Sequence, residues 1–244
     1  MPATNDFAIV IPARYQSSRF PGKPLADIHG KPMIQHVWEK CQQAIGPEHV
    51  FVATDDDRIA KACQHFGAAT LMTDSNCLTG TDRVAQAAQQ LDYEFIVNVQ
   101  GDEPMLDPAD ILAVAQAFRQ AGGAVINAMA AINNEDEYWS RNVPKVVTNT
   151  AGRLQYMSRA AIPANKAGTF VKAWKQVCIY CFTPGQLASF AAATEKGPIE
   201  QIEDIEILRF LDMGIDVHMV ELHSSSIAVD TPEDLQRVIN AIPC

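Results

Sequence analysis

Phe7-Ala8-Ile9-Val10-Ile11-Pro12-Ala13-Arg14-Tyr15-Gln16-Ser17-Ser18-Arg19-Phe20-Pro21-Gly22-Lys23-Pro24-Leu25 is the stretch that decides the fold. Phe7–Ile11 is a short run with no polar residue and reads as the first buried strand of an α/β sheet. Past Ala13 come three cations, a serine pair, a glycine and two prolines, with no carboxylate before Asp27. The loop at the carboxyl end of a first parallel strand is where α/β proteins hold ligands. Arg14, Arg19 and Lys23 supply charge-assisted donors there. Gly22 and the small Ser17 and Ser18 let main-chain N–H groups come close, as a phosphate requires. The expected guest is a polyphosphate.

The pattern continues outward from this loop. Strands are expected at Val50–Ala53, Thr70–Met72, Phe95–Val99 and Ala124–Ala130. Helices are expected over Pro32–Ala44, Ile59–Phe66, Thr81–Leu91 and Pro108–Ala121, the second closed by Gly67. Repeated β-α units of this length imply a mainly parallel sheet with helices on both faces. From about residue 132 the rhythm changes. Val143–Val147 and Leu154–Met157 read as antiparallel strands, 163–173 as a polar loop and Gln176–Phe182 as a buried strand. Helices follow over 184–194 and 199–213, then a strand at Val217–Leu222. Thr231, Pro232 and the acids after them mark the start of a last helix. The expectation is one α/β domain over residues 1–244, Rossmann-like and mainly parallel. A smaller antiparallel insertion, about 132–222, would serve the substrate and a partner subunit.

The chain has 244 residues, 48% of them apolar, with a formal net charge of −10. That supports a sizeable core and argues against disorder and against a bulk nucleic-acid binder. No apolar stretch approaches the ~18 residues of a membrane span, and no signal peptide opens the chain. Cytoplasmic location with reduced thiols is expected. Cys178 and Cys181 lie in an apolar strand without a second ligand pair, which favours packing over metal or redox chemistry.

Two acids stand at strand ends. Asp102 follows Phe95–Val99, and Asp230 precedes the last helix. Two carboxylates beside a polyphosphate loop suit Mg²⁺, which takes few carboxylates and completes its shell with phosphate oxygens and water. Each also has a plain role, Asp102 as a turn residue and Asp230 as a helix cap. Thr79-Gly80-Thr81-Asp82-Arg83 offers a glycine turn, hydroxyls and a cation at a helix start, suited to an anion or a base edge. Asp55-Asp56-Asp57 reads as a helix start. No dinucleotide fingerprint, P-loop, nucleophile elbow or zinc helix is present in the sequence.

Taken in order, Ile11-Pro-Ala-Arg14…Arg19-Phe-Pro-Gly-Lys23-Pro-Leu25, Thr79–Arg83, Val97-Asn-Val-Gln100-Gly-Asp102-Glu-Pro104, Ser158-Arg159-Ala160 and Val229-Asp230-Thr-Pro-Glu-Asp-Leu235 closely resemble the 3-deoxy-manno-octulosonate (KDO) cytidylyltransferases, or CMP-KDO synthetases. The resemblance covers nearly the whole chain. It implies catalytic roles for Arg14, Lys23, Asp102 and Asp230. A nucleotide site would comprise Pro12, Ala13, Arg14, Lys23, Thr79, Gly80, Thr81, Arg83 and Gln100. Mg²⁺ would sit on Asp102 and Asp230. A sugar site would comprise Gln100, Arg159, Gln176, Tyr180, Glu206 and Ile207. The implied reaction joins CTP to an eight-carbon keto sugar acid, giving a CMP-sugar for lipopolysaccharide assembly and pyrophosphate. A homodimer is implied as well.

The chain departs from the family on the sugar side. Where the family carries Arg-His-x-Gly-Ile-Tyr-Gly-Tyr, it has Lys175-Gln176-Val-Cys178-Ile-Tyr-Cys181-Phe182, and a glutamine after the late glutamate becomes Ile207. A changed sugar tail would require such changes, because a polar pocket rejects a ligand that leaves its groups unpaired. The expectation is therefore 8-amino-3,8-dideoxy-manno-octulosonate, with Glu200, Glu203, Asp204 or Glu206 facing its ammonium. The alternatives are the 8-hydroxy sugar, another CMP-sugar synthetase such as one for a sialic-acid-like substrate, and a nucleotide-binding regulator without catalysis.

Overall fold

Short apolar runs that alternate between two faces build one sheet buried on both sides. A computed structural model describes residues 6–17, 20–223 and 226–243; Ser18 and Arg19, named among the expectations, lie outside them. The first half gives β1 (Phe7–Ala13), β2 (Asp27–Ile28), β3 (Lys31–Pro32), α1 (Met33–Ile45), β4 (Val50–Thr54), α2 (Asp57–Phe66), β5 (Ala69–Met72), α3 (Gly80–Ala88), β6 (Phe95–Val99) and α4 (Pro108–Gln120). The second gives β7 (Val125–Ala131), α5 (Glu135–Trp139), β8 (Lys145–Thr148), β9 (Leu154–Ser158), β10 (Trp174–Phe182), α6 (Pro184–Ala191), α7 (Pro198–Glu203), α8 (Leu208–Asp212), β11 (Val217–Leu222) and α9 (Pro232–Ala241).

The sheet runs β11-β7-β10-β6-β1-β4-β5, with β8 added to β10 and β9 to β8. β4, β5 and β6 lie parallel to β1 through direct pairing or a shared neighbour, and β11 lies parallel to β7. β10 is antiparallel to both β6 and β7. The mixed α/β architecture matches the sequence expectation. The position of β10 refines it: the strand expected in a separate insertion stands in the middle of the sheet. Its closing run, Tyr180-Cys181-Phe182, is buried on both faces, which only a central strand allows.

Alternation along β1 shows how the two core layers form. Phe7, Ile9, Ile11 and Ala13 pack with Ile34 and Val37 of α1 and Ile111 and Val114 of α4. Ala8 and Val10 pack on the other face with Val84 of α3, Leu187 of α6 and Phe210 of α8. A third cluster joins Ile28 and Met33 to Val229 and Val238, seating α9 against the β2–β3 hairpin and α1. His29 Nε2 lies 2.9 Å from the Ile239 carbonyl and 3.0 Å from that of Ile242, a polar tie at the same junction. Among the described residues no helix is long and apolar enough to cross a membrane.

The helix expected over 199–213 is two helices. α7 ends at Glu203, Asp204 takes a left-handed turn with φ 51°, and α8 starts at Leu208. A buried ion triad holds α8 in its new direction. Arg209 donates to Glu200 of α7 at 2.7 and 2.8 Å and to Asp82 of α3 at 2.8 and 3.2 Å. The three residues are 2%, 0% and 8% exposed. Against the cost of burial, the two carboxylates raise the Arg209 pKa further. Removing the cation would leave two buried acids uncompensated. Arg209→Met is expected to lose about 3–5 kcal/mol of stability in urea unfolding. A loss below about 1 kcal/mol would show that the triad does not hold the α7–α8 break.

Candidate active site

The loop after β1 closes on itself before it turns back to the sheet. Gly22 takes φ 73°, and its N–H donates to the Tyr15 carbonyl at 2.8 Å. One turn of 3₁₀ helix over Lys23–Leu25 follows. Lys23 then reaches inward. Its Nζ donates to Asp102 Oδ2 at 2.8 Å and to the Val229 carbonyl at 2.7 Å, and lies 3.7 Å from Asp230 Oδ1. Three segments far apart in sequence thus meet at one ammonium. The Val229 N–H donates to the Asp102 carbonyl at 2.9 Å, so the two acidic segments are also tied through their backbones. Thr231 caps α9 in a reciprocal box with Asp234, and the Asp230 N–H donates to Asp234 Oδ2 at 3.2 Å.

Gly101 is what lets the β1 and β6 loops approach. A Cβ built there would stand 2.8 Å from the Pro12 carbonyl oxygen, a main-chain atom that cannot swing aside. On one side of this junction is a cavity of about 180 Å³, lined by Pro12, Ala13, Arg14, Lys23, Thr79, Gly80 and Arg83 among others. On the other is one of about 720 Å³, whose walls include Arg159, Gln176, Tyr180 and Glu206. Arg14, Thr79, Gly80, Gln100, Asp102 and Asp230 border both. The acids and cations that can handle a phosphate therefore stand between a smaller and a larger pocket.

Glu206 ties the α7–α8 linker to this seam. Its carboxylate accepts from the Thr81 N–H at 3.0 Å and from Gln100 Nε2 at 2.8 Å, and burial raises its pKa. Glu103, next to Asp102, is buried and its pKa is raised by burial as well; it accepts from the Ser226 hydroxyl and, at 3.4 Å, from the Cys178 N–H. It thereby joins the Asp102 turn to β10 and to the run leading into Asp230. Lys145 is buried and donates to the carbonyls of Ser140, Val143 and Arg159 at 2.6, 2.6 and 2.8 Å. Burial and the Arg159 charge bring its ammonium down to about 8.

Several anticipated residues do other work. Ile207 does not reach the larger cavity: it is 1% exposed and packs in the core. Its apolar side chain is placed there by the turn at Asp204. Arg159 borders the cavity, but its guanidinium donates to the carbonyls of Glu203, Asp204 and Arg141 at 2.5, 2.9 and 3.1 Å, bracing the linker. Arg83 is buried, donating to Thr73 Oγ1 at 2.5 Å and lying 3.4 Å from Asp55. Thr81 is buried and accepts from Asn98 at 3.2 Å, so its side chain supports α3. Asp56 caps α2. Glu200 belongs to the ion triad, and Glu203 accepts from Ser158 and Tyr156. Only Asp204 and Glu206 of the four late acids border the cavity, and Asp204 is paired with Lys196 at 2.7 Å. Cys181 is core and Cys178 borders the cavity; neither forms a disulfide.

Glu103, Lys145 and Asn127 were not anticipated. For two of them a signal was available: Lys145 and Asn127 are polar residues inside otherwise apolar strands, whereas Glu103 lies in the turn after β6. Among the described residues no group of three or more His, Cys, Asp or Glu could hold a metal ion. Any cation on Asp102 and Asp230 would draw its other ligands from substrate and water.

A doubly covered, mostly parallel sheet with a cationic first loop and two acids, one in the turn after β6 and one before α9, meeting on its lysine is the construction of a nucleotidyltransferase. The family profile for cytidylyltransferases matches residues 8–217. A 3-deoxy-manno-octulosonate cytidylyltransferase of Anaeromyxobacter dehalogenans is 45% identical over 233 residues, covering 94% of this chain and 95% of that protein. The enzyme of the same name from Myxococcus xanthus is 42% identical over 234 residues, covering 94% and 93%. A solved CMP:2-keto-3-deoxy-manno-octonic acid synthetase, complexed with CTP, superposes with a TM-score of 0.87 at 38% identity over 96% of this chain and 97% of the other. The chain belongs to the 3-deoxy-manno-octulosonate cytidylyltransferase family.

The close approach at Gly101 can be tested against an ordinary glycine. Gly101→Ala is expected to lose about 1–3 kcal/mol in urea unfolding, since backbone must move. Gly185→Ala, whose Cβ would meet only Thr183 Oγ1 at 3.8 Å, should stay within about 0.5 kcal/mol of the parent. Equal midpoints for the two variants would show that the loops have room to part.

Proposed function

We propose that this protein joins CTP to a 3-deoxy-octulosonate sugar acid, giving the CMP-sugar and pyrophosphate. The observation that carries the reading is the meeting of Asp102 and Asp230 on Lys23 at the seam of the two cavities. The smaller cavity, with Arg14 and Lys23, takes the triphosphate. The larger one takes the sugar acid. The sugar hydroxyl oxygen attacks the α-phosphorus, the bond to the bridging oxygen breaks, and pyrophosphate leaves with the electron pair. The hydroxyl proton passes to solvent. Such a transfer needs positioning and charge neutralisation more than covalent chemistry.

The donor set fits Mg²⁺: two carboxylates, hard oxygen ligands, beside space for phosphate and water. Asp102 and Asp230 would hold it. When bound, the metal supplies charge to the phosphate oxygens and lowers the pKa of a coordinated hydroxyl. Lys23, held by the same two carboxylates, brings a further positive charge to the leaving side. Arg14, exposed at the seam, faces both cavities. The reading includes a cytoplasmic homodimer serving lipopolysaccharide assembly. All 244 residues form one catalytic unit in it. The exposed Trp139, Val171 and Ile202, all in the second half, are surfaces a partner copy would cover.

The finer question is the group at the sugar's far end. Two sequence changes suggested an 8-amino sugar. Since Ile207 is core, Gln176 alone bears on the cavity. The amino sugar remains our reading on that one change. Competition kinetics with both sugars decides it, and a higher kcat/KM for the 8-hydroxy sugar assigns KDO instead.

Asp102→Asn and Asp230→Asn are expected to keep the parental circular dichroism and to release pyrophosphate at least about a hundredfold more slowly. Turnover in the parent should stop with EDTA and return with Mg²⁺. Folded variants with near-normal rates would remove the paired-carboxylate metal site.

A further inference from the structure

The bulge in β10 sets the hydrogen-bonding polarity of one wall of the larger cavity. Against β7, Val177 pairs with Ala128 and Tyr180 with Asn127, so Cys178 and Ile179 have no counterparts in that ladder. Such a bulge leaves main-chain groups that need other partners. Here the Asn127 side chain supplies them. Its Nδ2 donates to the Val177 carbonyl and to the Ile179 carbonyl, both at 3.0 Å, and the residue is fully buried. Two carbonyl acceptors admit only the nitrogen end of the amide, which fixes Asn127 Oδ1 as an acceptor.

That choice passes to the next amide. Gln176 Nε2 donates to Asn127 Oδ1 at 3.0 Å and to the Tyr180 hydroxyl oxygen at 3.2 Å. Reversing the Gln176 amide would set oxygen against oxygen at Asn127. Its own Oε1 has no partner among the described residues and is not enclosed, and Gln176 borders the larger cavity. The wall therefore presents a hydrogen-bond acceptor whose orientation is set by the backbone bulge two amides away. A histidine, which the family pattern carries at this place, offers donor or acceptor according to tautomer. The glutamine offers only the acceptor.

We propose that Gln176 selects for a sugar acid that presents a hydrogen-bond donor at this wall. A hydroxyl or an ammonium satisfies it, and a substituent without a hydrogen to give does not. The inference rests on the reaction proposed above and adds the polarity its substrate must have. Leaving the fixed acceptor unpaired in the closed complex should cost roughly ten- to a hundredfold in kcat/KM.

The test uses the whole chain with CTP, Mg²⁺ and octulosonates in which fluorine replaces, one at a time, each hydroxyl other than the anomeric one that reacts, read by pyrophosphate release. Fluorine keeps nearly the size of the hydroxyl and removes the donor. For the parent, one position is expected to show the ten- to hundredfold loss. In Gln176→Met that loss should shrink below about threefold, with KM for CTP unchanged. Gln176→Leu, which also removes the acceptor, should show the same relief and serves if Gln176→Met does not fold. Equal tolerance of fluorine at every position by the parent overturns the proposal, as does a penalty that persists in the variants. Failure of the parent to turn over any octulosonate would instead overturn the reaction on which the proposal rests.

Discussion

Two carboxylates will not share a small volume unless a cation shares it with them. Like charges about 4 Å apart cost about 4 kcal/mol at the dielectric of a protein surface. Asp102 and Asp230 come from segments more than half the chain apart, and Lys23 from a third segment is what they have in common. The rest of the site reads as the apparatus that holds this meeting in place. Gly101 lets the β6 turn slide under Pro12. The Val229 N–H fastens the last segment to the Asp102 carbonyl. The capping box of α9, and the hairpin beneath it, keep Asp230 from drifting with the end of the chain. In the reaction proposed above, a multiply negative ligand would meet acids already close and a cation already between them, and prepaid geometry is what phosphoryl-type transfer exploits.

The second constraint is the break between α7 and α8. A continuous helix over 199–213 would carry Glu206 and Arg209 round on one regular spiral. The left-handed turn at Asp204 instead lets Glu206 reach the Thr81 N–H and Gln100, while Arg209 turns inward to Glu200 and Asp82. Asp82 also accepts from the Thr79 hydroxyl at 2.7 Å. The glycine turn at the small cavity and the acid at the large one are thus fastened to the same buried triad. Such a triad is a weak source of net stability, because burying three charges costs much of what their attraction returns. Its clearer contribution is orientation: α3, α7 and α8 each bring one group to the triad, and all three are satisfied in this arrangement.

Much of this was legible in the sequence, and for a physical reason. β1, β4 and β6 are largely apolar runs bounded by turn residues, and those runs fall where strands form; β11 alternates apolar residues with His218 and Glu221. Thr231-Pro232 and Gly67 mark helix ends through backbone chemistry that does not depend on tertiary contacts. The nucleotide side was legible for a similar reason: its residues lie in local loops at strand ends. The α7–α8 break was not, because the apolar spacing of 199–213 fits a helix and only long-range partners, Asp82 and Thr81, favour the break. The partners that Arg159 and Arg83 find inside the protein were not legible either, because an arginine in a motif carries no sign of which carbonyls or carboxylates its fold will offer. Ile207 shows the same limit from the other direction: an apolar replacement at a ligand position can mean that the position has left the cavity.

The place of β10 separates the two halves of the chemistry. The cationic loop, Asp102 and the turn at Gly80 hang from strands that run parallel, or from the helix starts that follow them. The wall bearing Gln176 and Tyr180 belongs to the one strand that runs against its neighbours in the centre of the sheet. The joints between them at the bulge are made by backbone: Ile179 pairs with Val99 at the start of the β10–β6 ladder, the Gln100 N–H donates to the Cys178 carbonyl at 3.2 Å, and Glu103 accepts from the Cys178 N–H. A substitution on the cavity face of β10 can therefore alter which groups a sugar meets while Lys23, Asp102 and Asp230 keep their contacts. Gln176 and Cys178 border the larger cavity from that strand, apart from the side chains around Lys23. The fold lets acceptor chemistry change on one strand because charge is handled on the others.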